Sequence, residues 1–225
     1  MPKVVEEPQF RDKIKVLDDR FHAGELLSKK LQEYTNRKDT WIFAIPAGGV
    51  QVGVVVAFRL GLQLDLAVTR KLHVPWNKEA GFGAISWDGQ VILNEPLVAS
   101  LGLTDEEIDR VASAEKEVIK RRVKRFRGSK PFPMLKGETV IVVDDGLASG
   151  FSMLTTVRVM RQKKVGELVV AVPTAPVSSV DLLKPYVDKI VCLNIRTGRY
   201  FAVADAYRRW YDLNDEEVIQ LLESH

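Results

Sequence analysis

The chain has 225 residues, with 33 Lys and Arg against 30 Asp and Glu, and its formal net charge of +3 is too small by itself to imply nucleic-acid binding. Its 46% hydrophobic and 28% charged residues exclude disorder and low complexity, and a chain of this length buries about 70–75% of its unfolded surface without staples. The single cysteine, Cys192, excludes a disulfide framework and a Cys-based zinc cage, no apolar run approaches the ~18 residues of a membrane helix, and a cytoplasmic protein of one domain, 1–225, acting on a small molecule is expected.

Apolar residues at Ala23, Leu26, Leu27, Leu31 and Tyr34 follow helical spacing over Phe21–Tyr34. Trp41–Ile45 has the length of a strand and is closed by Pro46-Ala47-Gly48-Gly49. Val50–Leu60 reads as a helix with Gly61 as its C-terminal cap, and Leu64–Thr69 as a strand ending at Arg70-Lys71. Lys71 to Gly81 shows no periodicity and carries Pro75, which predicts a loop; Asp88-Gly89, between Gly83–Trp87 and Gln90–Leu93, is a hairpin signal. Thr104 and Glu107 have capping-box spacing for a long helix from Asp105, with an apolar stripe through Ile108, Val111, Val118, Ile119, Val123 and Phe126 and an end at Gly128. Thr139–Val143, Leu168–Val172 and Lys189–Leu193 read as strands, and Ser152–Lys164 and Ser178–Leu183 as helices. Asn214 with Glu217 opens a terminal helix.

Continuously apolar strands alternating with helices predict an α/β fold with a five- or six-stranded parallel sheet covered by helices on both faces. The core spans about residues 40–195, with a small hood from the chain ends and a hairpin flap. Ligands in such sheets sit beyond the carboxyl ends of the strands, which singles out the loops after Ile45, Thr69 and Val143.

The last of these is the most informative. Asp144 and Asp145 end a buried strand, and Gly146-Leu147-Ala148-Ser149-Gly150-Phe151-Ser152 lead into a helix. Successive backbone N–H groups and two hydroxyls over a helix N-terminus form a phosphate cradle. The carboxylates repel a phosphate, so they belong beside it, accepting hydrogen bonds from hydroxyls such as a ribose offers. A ribose 5-phosphate carries both groups. The plainer alternative, paired acids that merely end a strand and cap a turn, does not explain the loop.

Val140–Met153 resembles the phosphoribosyl-pyrophosphate (PRPP) motif of type I phosphoribosyltransferases: four apolar residues, two acids, then a small-residue loop. The resemblance implies that Asp144 and Asp145 bind the ribose 2- and 3-hydroxyls and, through substrate or water, Mg²⁺, while Gly146 to Ser152 bind the 5-phosphate. Serines stand at 149 and 152, where threonine is commoner, and Phe151 is bulkier than usual, so its side chain must point away from the phosphate. The resemblance further places pyrophosphate at Ala47-Gly48-Gly49, in a loop that often holds a non-proline cis peptide, and makes Arg70 and Lys71 the catalytic start of a flexible flap. Phe201, with Tyr200 or Tyr207 as rivals, is the implied base-stacking residue. Ala148 stands where 6-oxopurine enzymes carry an aspartate, and Pro173-Thr174-Ala175-Pro176 lacks their lysine, which argues against hypoxanthine or guanine as acceptor.

The implied reaction is Mg²⁺-dependent transfer of ribose 5-phosphate from PRPP to a nitrogenous, nucleobase-like acceptor, with release of pyrophosphate, by a homodimer. The alternative is a non-catalytic PRPP or nucleotide sensor on the same fold. The basic cluster from Lys116 to Lys130 reads as a solvated face or subunit contact rather than an RNA site, His73 as an exposed loop residue, and Cys192 as core.

Overall fold

Strands without a polar face must be covered on both sides, and around the strands Thr40–Ala44, Thr139–Val143 and Glu167–Pro176 the chain solves this with a helix before and after the strand. The computed structural model describes residues 2–198 and 200–224, with the backbone alone at Lys78 and Glu79; His225 lies outside the described residues. In chain order the elements are β1 (Lys3–Val5), α1 (Arg20–Lys30), β2 (Thr40–Ala44), α2 (Gly48–Leu60), β3 (Gln63–Leu66), β4 (Arg70–Val74), β5 (Asn77–Ile85), β6 (Val91–Leu93), α3 (Glu95–Leu101), α4 (Asp105–Arg127), β7 (Thr139–Val143), α5 (Phe151–Gln162), β8 (Glu167–Pro176), α6 (Val177–Leu183), β9 (Lys189–Arg196) and α7 (Asp215–Glu223).

Six strands form one sheet in the order β1-β9-β8-β7-β2-β3, every neighbouring pair parallel. Alternation along β7 sorts its side chains between two cores. Val140 and Val142 join Val170, Cys192 and the α5 residues Met153, Val157 and Met160 on one face. Ile141 and Val143 join Ile42, Val169 and the α1 and α2 residues Leu27, Val52 and Val56 on the other. Each such buried aliphatic side chain is worth roughly 1.5–3 kcal/mol.

The helix boundaries follow their caps. Asp19 accepts from the His22 N–H to open α1, Gly61 in the left-handed region closes α2, and the capping boxes at Thr104/Glu107 and Asn214/Glu217 form as their spacing predicts. The ends of the chain pair with each other to make the hood: Leu17 N–H donates to Ala206 O, Arg208 N–H to Leu17 O and Arg209 N–H to Asp18 O.

Four expectations need correction. Lys71–Gly81 is not a loop: β4 and β5 pair antiparallel, and with β6 they make a three-stranded ribbon. Leu72 and Val74 are its buried side, packed with Phe82 and Ile85 against Ile108 and Ile119 of α4. The strand expected over Leu64–Thr69 stops at Leu66, while those expected to end at Val172 and Leu193 run on to Pro176 and Arg196. Two elements were not anticipated. β1 is three residues, too short for a pattern, and α3 is a seven-residue helix between the Asn94 cap and left-handed Gly102.

Candidate functional site

The sheet order creates the site before any side chain does. From β2 the chain steps outward to β3, then returns to place β7 on the other flank of β2 and proceeds through β8 and β9 away from it. β2 and β7 are therefore the switch point of the sheet, where loops leave in opposite directions and open a crevice at the carboxyl ends. Ala44 pairs with Val143 at that end. The loops 45–47 and 144–150 both start there, the first leading into Gly48 and Gly49 at the start of α2.

The first loop lies directly on the second. Ile45 N–H donates to Val143 O at 2.9 Å. A Cβ on Gly48 would overlap Asp145 Oδ2, and one on Gly49 would fall 2.9 Å from Asp144 Cα. The two glycines are required by this close approach. The Pro46–Ala47 peptide is cis.

Asp145 is held at three points. Its Oδ2 accepts from Arg20 Nε at 2.8 Å, its backbone carbonyl accepts from the Tyr207 hydroxyl at 2.6 Å, and its N–H donates to Asp144 Oδ1 at 2.8 Å. Burial pushes both carboxyls above the ordinary range; the neighbouring Asp145 charge drives Asp144 further up, whereas the Arg20 guanidinium holds Asp145 down. Two acids with one cation make a crevice that favours hydroxyl donors or a further cation. As a metal site the donor set is hard oxygen, which fits Mg²⁺. Among the described residues no group of three or more His, Cys, Asp or Glu gathers around an ion position; Asp144 and Asp145 would hold the ion with water or substrate oxygens completing its shell.

In the second loop, Gly150 has a φ of +81° and sits at the N-cap of α5 without a side-chain cap, so no capping side chain takes up the first helical N–H groups. Ala148 and Ser149 are exposed. Phe151 opens α5 and packs, partly buried, against the core cluster of Met153, Leu154 and Val180. Gly146 is fitted under Val203, whose Cγ1 would lie 2.5 Å from a Cβ there. One member of the loop is already committed: Leu147 is buried and its N–H donates to Thr174 O at 2.9 Å.

The other candidate residues are not gathered at the acids. Arg70 Nε donates to Glu115 Oε2 of α4 at 2.7 Å, and the Lys71 side chain lies across Gly81 on the ribbon. Phe201 is half-buried, while Tyr200 is 93% exposed. His73 lies in β4 rather than in a loop, with its Nδ1 buried and unpartnered. Cys192 is core, its thiol pushed up to about 12 by burial. Part of the basic cluster is spent inside the chain: Arg122 and Arg125 pair with Asp215 and Glu216 of α7, and Arg127 with Asp65.

Sequence reasoning missed Arg20 and Trp210 and gave Tyr207 a different role. Arg20 is only 4% exposed. It sits three residues before Ala23 and seven before Leu27, on the buried stripe of α1; a charge on an apolar stripe was the available signal.

Comparison with known proteins adds to this geometry. The family model of the phosphoribosyl transferase domain matches residues 16–204. Two Mycobacterium tuberculosis proteins, from strains CDC 1551 and H37Rv and provisionally named phosphoribosyl transferases, are each 35% identical over 210 residues, covering 93% of this chain and 47% of theirs. The chain thus spans about half the length of the curated relatives it matches. The crystal structure of TT1426 from Thermus thermophilus is 33% identical, with a TM-score of 0.73 over 92% of this chain and 98% of that one. The AQ2163 protein of Aquifex aeolicus, at 12% identity and a TM-score of 0.52 over 84% of this chain and 78% of its own, shares the fold.

Proposed function

The chain belongs to the phosphoribosyl transferase family, and from that premise we propose that it transfers ribose 5-phosphate from PRPP to a nitrogenous, nucleobase-like acceptor in a Mg²⁺-dependent reaction that releases pyrophosphate. One observation carries the reading: the Asp144–Asp145 pair lies at the switch point of the sheet, with the Gly48-Gly49 loop against one side and the uncapped N-terminus of α5 on the other. Diol, pyrophosphate and 5-phosphate are the three groups of one substrate, and each is assigned to one of these three elements.

In this reading Asp144 and Asp145 accept hydrogen bonds from the 2- and 3-hydroxyls. The N–H groups of Ser149 to Ser152 hold the 5-phosphate, and the Gly48-Gly49 backbone the pyrophosphate. Asp144 and Asp145 would hold Mg²⁺ through substrate or water, and the ion would offset the negative charge of the departing pyrophosphate. Bond breaking at the anomeric carbon leads, so the protein's task is positioning and charge stabilisation. The β4–β5 ribbon closes as a unit over the leaving group, Arg70 exchanging Glu115 for a pyrophosphate oxygen, and thereby excludes water from the reactive sugar. Phe201 stacks on the acceptor.

The test is pyrophosphate release from PRPP with Mg²⁺ and a panel of nucleobases. Release that requires one of the bases is expected. Tight PRPP binding without release for any base or nitrogen nucleophile would replace transfer with sensing.

A further inference from the structure

Arg20 is placed where three parts of the molecule meet. Its Nε donates to Asp145 Oδ2 at 2.8 Å, its Nη1 donates to the Tyr211 carbonyl at 2.8 Å, and its guanidinium carbon lies 4.0 Å from the centre of the Trp210 ring. A Cβ on Gly48 would also come within 3.1 Å of Arg20 Nε, so the ion pair runs directly over the loop between β2 and α2. We propose, building on the diol-binding reading above, that Arg20 is the positioning residue of that site: it fixes the orientation of the Asp145 carboxylate and couples it to the hood segment 207–211.

The Asp145 backbone is pinned by β7 below and by the Tyr207 hydroxyl on its carbonyl. The carboxylate itself is bonded to Arg20 and lies against the Asp144 carboxyl, and an arriving ligand adds to these two. A guanidinium is planar, and bonds made through Nε and Nη1 share that plane. Rotation of the carboxylate must therefore tilt the whole fork, which moves the Tyr211 carbonyl and the indole stacked on its face. Buried charge is tolerated only when paired and hydrogen-bonded, so Arg20 is not free to turn away. Tyr207 and Trp210 are themselves in contact, with ring centres 5.1 Å apart, so the hood segment meets one residue at two points, the Asp145 carbonyl through Tyr207 and the Asp145 carboxylate through Arg20. Arg20 touches no substrate atom in this account; it acts through Asp145.

A lysine cannot reproduce this. It offers a point charge without the two in-plane bonds or the flat face over Trp210. Arg20→Lys is expected to keep the fold and lose the coupling.

The test is a double-mutant cycle on ribose 5-phosphate, a probe that carries the diol and the phosphate but neither pyrophosphate nor acceptor. Affinity is measured by calorimetry for the wild type, Arg20→Ala, Asp145→Asn and the double variant, with Arg20→Lys in place of Arg20→Ala should the latter fail to fold. Each single change is expected to weaken binding about ten- to hundredfold, the range for a hydrogen bond to a charged group. The double variant should be no weaker than Asp145→Asn alone. Ribose 5-phosphate should also change the tryptophan emission of the wild type, and this change should be absent in Trp210→Phe and in Arg20→Lys. Additive losses in the cycle, or binding with no change in emission, overturn the role of Arg20, because a guanidinium that only braces the Tyr211 carbonyl and the Trp210 ring acts independently of the Asp145 carboxylate and leaves Trp210 silent when the ligand binds. Failure of the wild type to bind ribose 5-phosphate contradicts the diol site and Arg20's role together. Binding with the expected cycle but no pyrophosphate release from PRPP overturns transfer and leaves Arg20 where it is.

Discussion

Adjacent carboxyls in a buried crevice cost stability, and Asp144 bears most of that cost. Burial and the neighbouring Asp145 charge raise its carboxyl well above the ordinary range. Between the unfolded and folded values the folded state binds more protons than the unfolded chain, so stability falls as pH rises through that window. Asp144→Asn removes the titration and keeps an oxygen for the Asp145 N–H. Calorimetric melting should therefore show the variant more stable than the wild type at pH 7–8, with the gain vanishing below about pH 4, where both forms are neutral. A lower melting temperature at neutral pH would contradict this. Phe201 tests the acceptor end. Phe201→Ala should raise the acceptor KM roughly 10–100-fold, as for loss of a base–aromatic stack, with PRPP affinity unchanged; equal loss for both substrates would mean hood unfolding instead. At this scale the acids and their loop were legible because they are contiguous, Asp144 to Ser152. Arg20 was not, because its partner Asp145 lies 125 residues away, and such a pairing has no local signature.

The ribbon β4–β5–β6 is the element that sequence patterning read least well. Only two residues of β4, Leu72 and Val74, face inward, too few to establish alternation before Pro75 interrupts it. Gly81 and Gly83 serve as flat places, one beneath the Lys71 side chain and the other against the Ile92 carbonyl. The Asp88-Gly89 signal was sound, since that turn does join β5 to β6, with Ser86 and Asp88 hydrogen-bonded across it. Expected flap behaviour changes accordingly. A paired ribbon is cut at its tip, not along its length, so proteolysis should fall at the Pro75-Trp76 turn, and PRPP with Mg²⁺ should slow it more than a nucleoside does. Arg70→Ala with Lys71→Ala should reduce turnover far more than nucleotide binding. Cleavage spread along 71–83, or protection equal with and without PRPP, would contradict a ribbon that closes on the substrate.

For the molecule as a whole, the class of fold was readable because each of β2, β7, β8 and β9 is a short apolar run alternating with helices, and only a parallel sheet buries such strands on both faces. Strand order was not readable. Which strands become neighbours is decided by long-range packing, and the edge strand β1 joins β9 through three residues with no pattern of their own. That order is nonetheless what makes the site, since it sets β2 beside β7 and brings the glycines at 48 and 49 onto the acids at 144 and 145. The account stands or falls on a ligand bridging those two loops. Titration of PRPP with Mg²⁺ into the wild type and into Asp145→Asn, followed by calorimetry, tests this most directly: saturable one-site binding to the wild type, weakened at least about tenfold in the variant, is the predicted result, and equal affinity in the two proteins would contradict it.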